Sequence, residues 1–481
     1  MDRHCTLRWI MNKIIFPSNF LWGSASSAYQ IEGSYQADHK GLSIWDVYAN
    51  VPGNTFQNTN GNIACDHYHR MNEDVRLMKE MGLKAYRFSI SWPRILPSGR
   101  GEVNEQGLRF YEQLIDLLRE NEIEPIVTLY HWDLPLALQE EYRGWESRAI
   151  VDDFLHYAQV CFQRFNGKVK YWIVLNEPNI FTQLGYLLAM HPPKLQDYQL
   201  YLNTFHHTAL VHAAVIKHFK QTGYEGKIGS SIAYTPGYPA TSSAEDLEAL
   251  DRYYQTNCWY LMDLYHKGEY PQKGKTLIER MGYQIPMTHE DELLLQEGCT
   301  QADFIGINYY QSAMLAHNPL DGVTFAKMNT DGIKGTQQES GIPGLYKQVH
   351  NPLISYTDWD WAIDPAGLTK ALGELESRYH LPILISENGL GAYDQLVDGK
   401  IQDDYRISYL DLHVRACHDA IQEGVNLIGY CTWSFTDLLS WLNGYQKRYG
   451  FVYIDFENED LTRIKKESFA WYQQVIRQNG V

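Results

Sequence analysis

The chain has no apolar run near the roughly 18 consecutive residues that a membrane-spanning helix needs, so a helical membrane protein is excluded. Cysteine is sparse. The seven residues, at positions 5, 65, 161, 258, 299, 417 and 431, are odd in number and show no CxxC spacing. That excludes a disulfide framework and a cysteine metal cluster, and predicts reduced thiols in a cytoplasmic protein. Positive charge is in the minority, with 41 Lys and Arg against 58 Asp and Glu and a net charge of -17. General binding to nucleic acid or to an anionic membrane is therefore excluded, and an anionic ligand would need its own basic pocket. Neither GxGxxG nor the GxxxxGK phosphate loop occurs, and no repeat, low-complexity tract or Pro/Ser linker interrupts the chain. Residues 1–481 are thus read as one domain. Residues 1–12 carry basic residues but no apolar segment or cleavage site; they are expected to be a loosely ordered extension rather than a signal peptide, with Met11 an alternative start.

What the chain does have is aromatic residues: 35 Tyr, 13 Trp and 17 Phe. Rings that stack and also hydrogen-bond suit carbohydrate, although they equally fill large cores. Short β-rich runs recur at Phe20–Ala25, Ala85–Ile90, Glu124–Tyr130, Lys170–Leu175, Ile228–Ala233, Phe304–Tyr309, Ile383–Ser386 and Leu427–Thr432. Between them lie stretches with helical spacing of apolar residues, at Glu105–Glu120, Ile150–Phe165, Leu202–Gln221, Glu245–His266, Ala366–Tyr379 and Tyr405–Glu423. This alternation predicts an α/β fold, a single (β/α)8 TIM barrel with elongated βα loops. The weakly periodic segments Ala240–Glu248 and Ala316–Pro352 are expected to be loops over one face.

Such barrels build their active sites just past the C-terminal ends of the strands. Those positions hold Tyr29, Gln30 and Glu32; Arg87, Ser91 and Trp92; His131, Trp132 and Asp133; Asn176 and Glu177; Asn308 and Tyr310; Glu387 and Asn388; and Trp433. Glu177 and Glu387 would face each other across the mouth, amid amides and indoles able to hold sugar hydroxyls. Cleaving a glycosidic bond needs one carboxyl to protonate the leaving oxygen and another to attack or stabilise the oxocarbenium-like carbon. Arg87 is placed to keep one of the two ionised. The plainer alternative is that such glutamates cap helices or form salt bridges. His67, His69, His206 and His207 lack HExxH spacing and are read as structural; no metal and no cofactor is expected.

The sequence resembles glycoside hydrolase family 1 over nearly its whole length. The motifs are FLWGSASSAYQIEG (Phe20–Gly33), SIWD (Ser43–Asp46), YRFSISWPRILP (Tyr86–Pro97), TLYHWDLP (Thr128–Pro135), LNEP (Leu175–Pro178), GINYY (Gly306–Tyr310), ISENGLG (Ile385–Gly391) and TWSFTD (Thr432–Asp437). The resemblance implies a retaining mechanism, with Glu177 as acid/base and Glu387 as nucleophile. It further implies that Gln30, His131, Asn176 and Trp433 bind the glycone, that Arg87 and Tyr310 contact the nucleophile, and that Trp361 lies on the aglycone side. Ser386 stands where the family usually has Thr, and Asn179 where it usually has Trp after the Asn-Glu-Pro; neither change touches the catalytic pair.

In the last loop, members acting on plain sugars carry a Glu that grips the 4- and 6-hydroxyls, whereas this chain has Ser440 followed by Lys447 and Tyr449. That pattern resembles the 6-phospho-β-glycosidase branch. A hydroxyl, an ammonium and a phenol can bind a phosphate dianion that a carboxylate would repel. Trp441 resembles the residue of 6-phospho-β-galactosidases, and its N–H could reward a galacto 4-hydroxyl; one neutral hydrogen bond, about 0.5–1.5 kcal/mol, does not exclude the gluco epimer. The expected activity is hydrolysis of 6-phospho-β-D-galactosides and 6-phospho-β-D-glucosides. The alternatives are a β-glucosidase or β-galactosidase on unphosphorylated sugars, or a catalytically silent phosphosugar-binding protein. The expected partner is a phosphorylated disaccharide or β-glycoside, with assembly into a homo-oligomer left open.

Overall fold

The computed structural model describes residues 14–481; the expected N-terminal extension and Met11 lie outside them. Eight parallel strands close a barrel: β1 (Leu21–Ala25), β2 (Ala85–Ser89), β3 (Glu124–Tyr130), β4 (Tyr171–Asn176), β5 (Lys227–Ala233), β6 (Ile305–Asn308), β7 (Ile383–Asn388) and β8 (Leu427–Trp433). Each pairs with its neighbours in sequence, and β8 returns to β1 from Leu21↔Gly429 to Ala25↔Trp433. These strands are covered on both faces, which is why they read as continuous apolar runs rather than as alternation. The predicted strands match within a residue or two, with one consequence for the site: β7 runs past Ser386, so Glu387 and Asn388 lie inside it.

The outer helices are α1 (His67–Met81), α2 (Glu105–Glu120), α3 (Ile150–Phe165), α4 (Tyr198–Thr222), α5 (His289–Cys299), α6 (Pro365–Tyr379), α7 (Asp404–Gln422) and α8 (Glu467–Gln478). α2 and α3 coincide with their predicted bounds, because each turns a clean apolar stripe (Leu108, Tyr111, Ile115, Leu118; Phe154, Ala158, Cys161, Phe165) onto the barrel. α1, α5 and α8 are absent from the predicted set; α1 and α5 are rich in charge, which blurs the period. The predicted helix Glu245–His266 spans two helices, Ala244–Tyr253 and Trp259–Lys267, joined by a π-helical turn.

The expectation of plain loops is corrected in two places. A helix begins at Ala244 inside the first, capped by Ser243. The second contributes Ser340–Ile342 and Tyr346–Val349 to a four-stranded sheet with Gly237–Pro239 and Ala313–Ala316. Strands of three or four residues are too short to display a period of two.

Candidate active site

The two glutamates sit where the backbone departs from regular pairing. The β4 register slips between Ile173 and Asn176, and β7 slips between Ile385 and Glu387. Such bulges re-aim side chains at barrel rims. Glu177 itself adopts a left-handed conformation (φ 45°, ψ 58°) before Pro178 starts a short helix. This is a conformation non-glycine residues avoid by about 1–2 kcal/mol. It is held by Glu177 N–H donating to Ser231 O (2.7 Å) and by Trp132 Nε1 donating to Asn176 O (2.9 Å). Backbone strain of this kind persists only where the surroundings over-determine it.

Around the pair runs a dense polar network. Arg87, fully buried on β2, donates through Nη1 to Glu387 Oε1 (2.6 Å) and Ser386 O (3.1 Å), through Nη2 to Asn176 Oδ1 (2.6 Å), and through Nε to Thr128 Oγ1 (3.0 Å). Tyr310 OH donates to Glu387 Oε2 (2.6 Å), so both oxygens of that carboxylate are occupied. Among the described residues, the Glu177 side chain accepts only from Asn308 Nδ2 (2.8 Å). Asn176 Oδ1 faces donors, so its Nδ2 must point at His131 Nε2 (3.0 Å). The His131 proton is thereby placed on Nδ1.

This asymmetry separates the two carboxyls. Burial and then the Glu387 charge push Glu177 up to about 8, against weaker opposition from Asn308 and Arg87. Burial also raises Glu387, but Arg87, Tyr310 and Asn308 all oppose it. The proton shared by the pair therefore resides on Glu177, and Glu387 is the anion. His131 is pushed well below its ordinary range by burial and by Arg87, and is neutral.

Aromatic rings wall one side. Trp433 stacks on His131 (5.6 Å, 20°), and Trp441 lies 4.7 Å from Trp132 and parallel to Tyr29 (5.8 Å, 6°). Gln30 donates to Leu439 O (2.6 Å) and accepts from Ser27 (2.7 Å), fixing the turn that carries Ser440.

The loop after β8 brings Ser440, Lys447 and Tyr449 together, all buried, with Lys447 only 1% exposed. The Lys447 ammonium has no carboxylate and no hydrogen-bond partner among the described residues. Its neighbours are rings: Trp361 at 3.6 Å, Trp359 at 4.8 Å and Tyr449 at 5.5 Å from the centroids. Burial alone pushes its pKa well below the ordinary lysine range. Gly391 makes room for the stem, since a Cβ there would lie 2.5 Å from Lys447 Cε. Trp361 also meets Tyr310 edge-on (5.3 Å) and lines a cleft of about 520 Å³ with Asn179, Tyr234, Gln311 and Tyr346.

Not every residue at a strand end joins the site. Glu32 is tied to Arg94 (2.9 Å) and Tyr111 OH (2.6 Å), and with Asp133 and Ser91 it borders a separate, very small cavity. Burial raises Asp133 to about 8. His67 pairs with Asp74 (2.7 Å), His69 with Asp66 (2.6 Å), His206 with Tyr270 (3.0 Å) and His207 with Trp145 O (2.8 Å). Sequence reasoning placed Asn308 at the right strand end without a role, and it missed Thr128 and Ser231. Their only signal is a small polar residue inside a barrel strand, which faces the lumen or the helices with equal ease.

Two carboxyls at the mouth of a (β/α)8 barrel, one neutral and one held as an anion, with sugar-compatible rings and amides around them, define a glycoside hydrolase. The chain belongs to glycosyl hydrolase family 1, whose family profile matches residues 12–481. It is 54% identical, over 97% of its length and 98% of the relative's, to the protein named aryl-phospho-beta-D-glucosidase BglC of Bacillus subtilis (strain 168). It is 38% identical to the 6-phospho-beta-galactosidase of Clostridium acetobutylicum, with 96% of each chain covered. Among solved structures, the family 1 β-glucosidase from Thermotoga maritima superposes with a TM-score of 0.87 at 37% identity, covering 98% of this chain and 99% of that one. No helix among the described residues is long and apolar enough to cross a membrane.

Proposed function

We propose that the protein, acting as one domain in the cytoplasm, is a retaining 6-phospho-β-glycosidase that accepts both gluco and galacto epimers. Glu177 protonates the glycosidic oxygen while Glu387 attacks the anomeric carbon. The C–O bond to the aglycone breaks and a covalent glycosyl-enzyme forms. Glu177, now a carboxylate, takes a proton from water as that water displaces Glu387, releasing the 6-phosphosugar. Arg87 and Tyr310 hold the nucleophile in place. Gln30, His131, Asn176 and Trp433 offer the donors and the stacking face for the glycone, and Trp441 offers its indole N–H to the 4-hydroxyl. Nucleic acid has no part in this reading.

The observation that carries the phosphate reading is Lys447, a buried cation with no anion beside it among the described residues. Burying an unpaired charge is unfavourable unless a partner arrives, and a phosphate dianion held also by Ser440 and Tyr449 is such a partner. The printed names of the two relatives support the same substrate class. The test is a panel of nitrophenyl β-glucosides and β-galactosides, each with and without a 6-phosphate. The expected result is a kcat/KM for the phosphorylated compounds at least tenfold above the plain ones, with the galacto phosphate cleaved at least as well as the gluco phosphate. Equal rates with and without phosphate would overturn the reading.

A further inference from the structure

A lysine that binds phosphate has to be held somewhere. A carboxylate would fix it but would cancel the charge the ligand needs. Here the ammonium rests on aromatic faces instead, and the nearest, Trp361 at 3.6 Å, is much closer than Trp359 or Tyr449. A ring quadrupole holds a cation without adding net negative charge. The same indole packs edge-on against Tyr310, whose hydroxyl is 2.6 Å from Glu387 Oε2, and its remaining surface lines the 520 Å³ cleft. One side chain thus touches the phosphate-site lysine, the tyrosine on the nucleophile and the aglycone side of the cleft.

We infer that Trp361 is a positioning residue for phosphate selectivity: beyond serving the aglycone side, it holds the Lys447 ammonium at the phosphate corner through its ring face. This rests on the proposed phosphoglycosidase reading and adds to it the device that keeps the lysine free of a counter-ion. Gly391 is the other half of that device. The lysine stem lies against a position where even a methyl group would intrude at 2.5 Å, so the ammonium is confined between glycine backbone and indole.

The test compares nitrophenyl β-glucoside 6-phosphate with plain nitrophenyl β-glucoside, which share one leaving group, in the parent, Trp361→Phe, Trp361→Leu, Lys447→Ala and the Trp361→Leu/Lys447→Ala double variant. The readout is the ratio of the two kcat/KM values, with thermal melting as a check on folding. Loss of a desolvated cation–π contact predicts a fall in that ratio of about 3- to 30-fold in Trp361→Leu. The fall is expected to be smaller in Trp361→Phe, which keeps a ring face, and no further fall is expected when Trp361→Leu is added to Lys447→Ala. Gly391→Ala, which leaves Trp361 unaltered but crowds the lysine stem, is expected to lower the same ratio. If Trp361→Leu slows both substrates by the same factor, or lowers the ratio equally with and without Lys447, Trp361 serves only the aglycone side and the inference is overturned. A parent without phosphate preference would overturn the phosphoglycosidase reading and this inference together, and so is distinguishable from failure of the inference alone.

Discussion

Lys447 and Arg448 are adjacent in the chain and opposite in setting. Arg448 donates to Asp437 Oδ2 (2.7 Å) and to Ile454 O (2.9 Å), and it covers the Tyr453 ring. Lys447 has three rings and, among the described residues, no anion. Arg87, at the centre of the barrel, is like Arg448 tied to a carboxylate, and each of its own donor nitrogens is engaged. A buried cation whose donors are all used organises the protein around it, whereas one whose donors are free is prepared for something that is not protein. The contrast separates the fixed electrostatics around Glu177 and Glu387 from the corner proposed to receive phosphate.

The largest expected effect removes the anion that Arg87 holds. Glu387→Gly is expected to abolish turnover, with azide or formate restoring cleavage of an activated glycoside by occupying the vacated space; near-normal hydrolysis without added anion would remove Glu387 from its role. Next, Glu177→Gln keeps the Asn308 contact but not the proton. It is expected to slow glycosides with poor leaving groups by about 10²–10⁴-fold and activated ones less, so equal losses across a leaving-group series would contradict the assignment.

The two cations themselves can then be compared directly. Arg87→Met leaves Glu387 buried without its partner and is expected to destabilise the fold by about 3–5 kcal/mol, read by chemical denaturation. Because Arg87 lowers the Glu387 pKa, the acid limb of kcat/KM is expected to move to higher pH in that variant. Lys447→Met replaces an unpaired buried amine by an apolar chain of similar length. It is expected to leave stability unchanged or raised, while kcat/KM for the phosphorylated glycoside falls by about 10- to 150-fold, the equivalent of about 1.5–3 kcal/mol for a hydrogen bond to a charged group. Destabilisation by Lys447→Met as large as by Arg87→Met would erase the contrast.

The smallest expected effect concerns pH. The proposed mechanism requires Glu177 protonated and Glu387 ionised, so kcat/KM is expected to decline on the alkaline side near the Glu177 value of about 8. Glu387→Gln removes the neighbouring charge that raises Glu177, and its pKa, followed by carboxyl NMR titration, is expected to fall while staying above the ordinary glutamate range because burial remains the larger cause. An unchanged value would show that the two carboxyls do not sense each other.

Much of this arrangement is legible in the sequence, and unevenly so. The barrel strands could be read because strands covered on both faces are largely apolar, and the helices α2 and α3 because one stripe must face the sheet. The glutamates could be read because barrels place chemistry at strand ends. The same rule also nominated Glu32 and Asp133, which the fold turns into a separate buried cluster with Arg94. The short strands Ser340–Ile342 and Tyr346–Val349 escaped because pairing across a sheet, rather than local pattern, makes them strands. Ser231 escaped because a serine within a barrel strand carries no mark of the asparagines it joins, 3.1 Å from Asn308 Oδ1 and 3.2 Å from Asn176 Oδ1.

The sequence by itself determined which residue types are present and in what order: a barrel-forming alternation, two glutamates at strand ends, and Ser440, Lys447 and Tyr449 in place of a carboxylate. Only the tertiary structure decided their states. Glu177 and Glu387 are chemically identical and differ solely in their neighbours, one donor for the first and two hydrogen-bonded donors, one of them charged, for the second. The sequence placed Lys447 in the phosphate pattern but not in the interior, and it is the closure of the last loop against Trp361 and Gly391 that buries it with no anion beside it among the described residues. Charge state and solvation depend on contacts between residues far apart in the chain, so no local pattern can specify them.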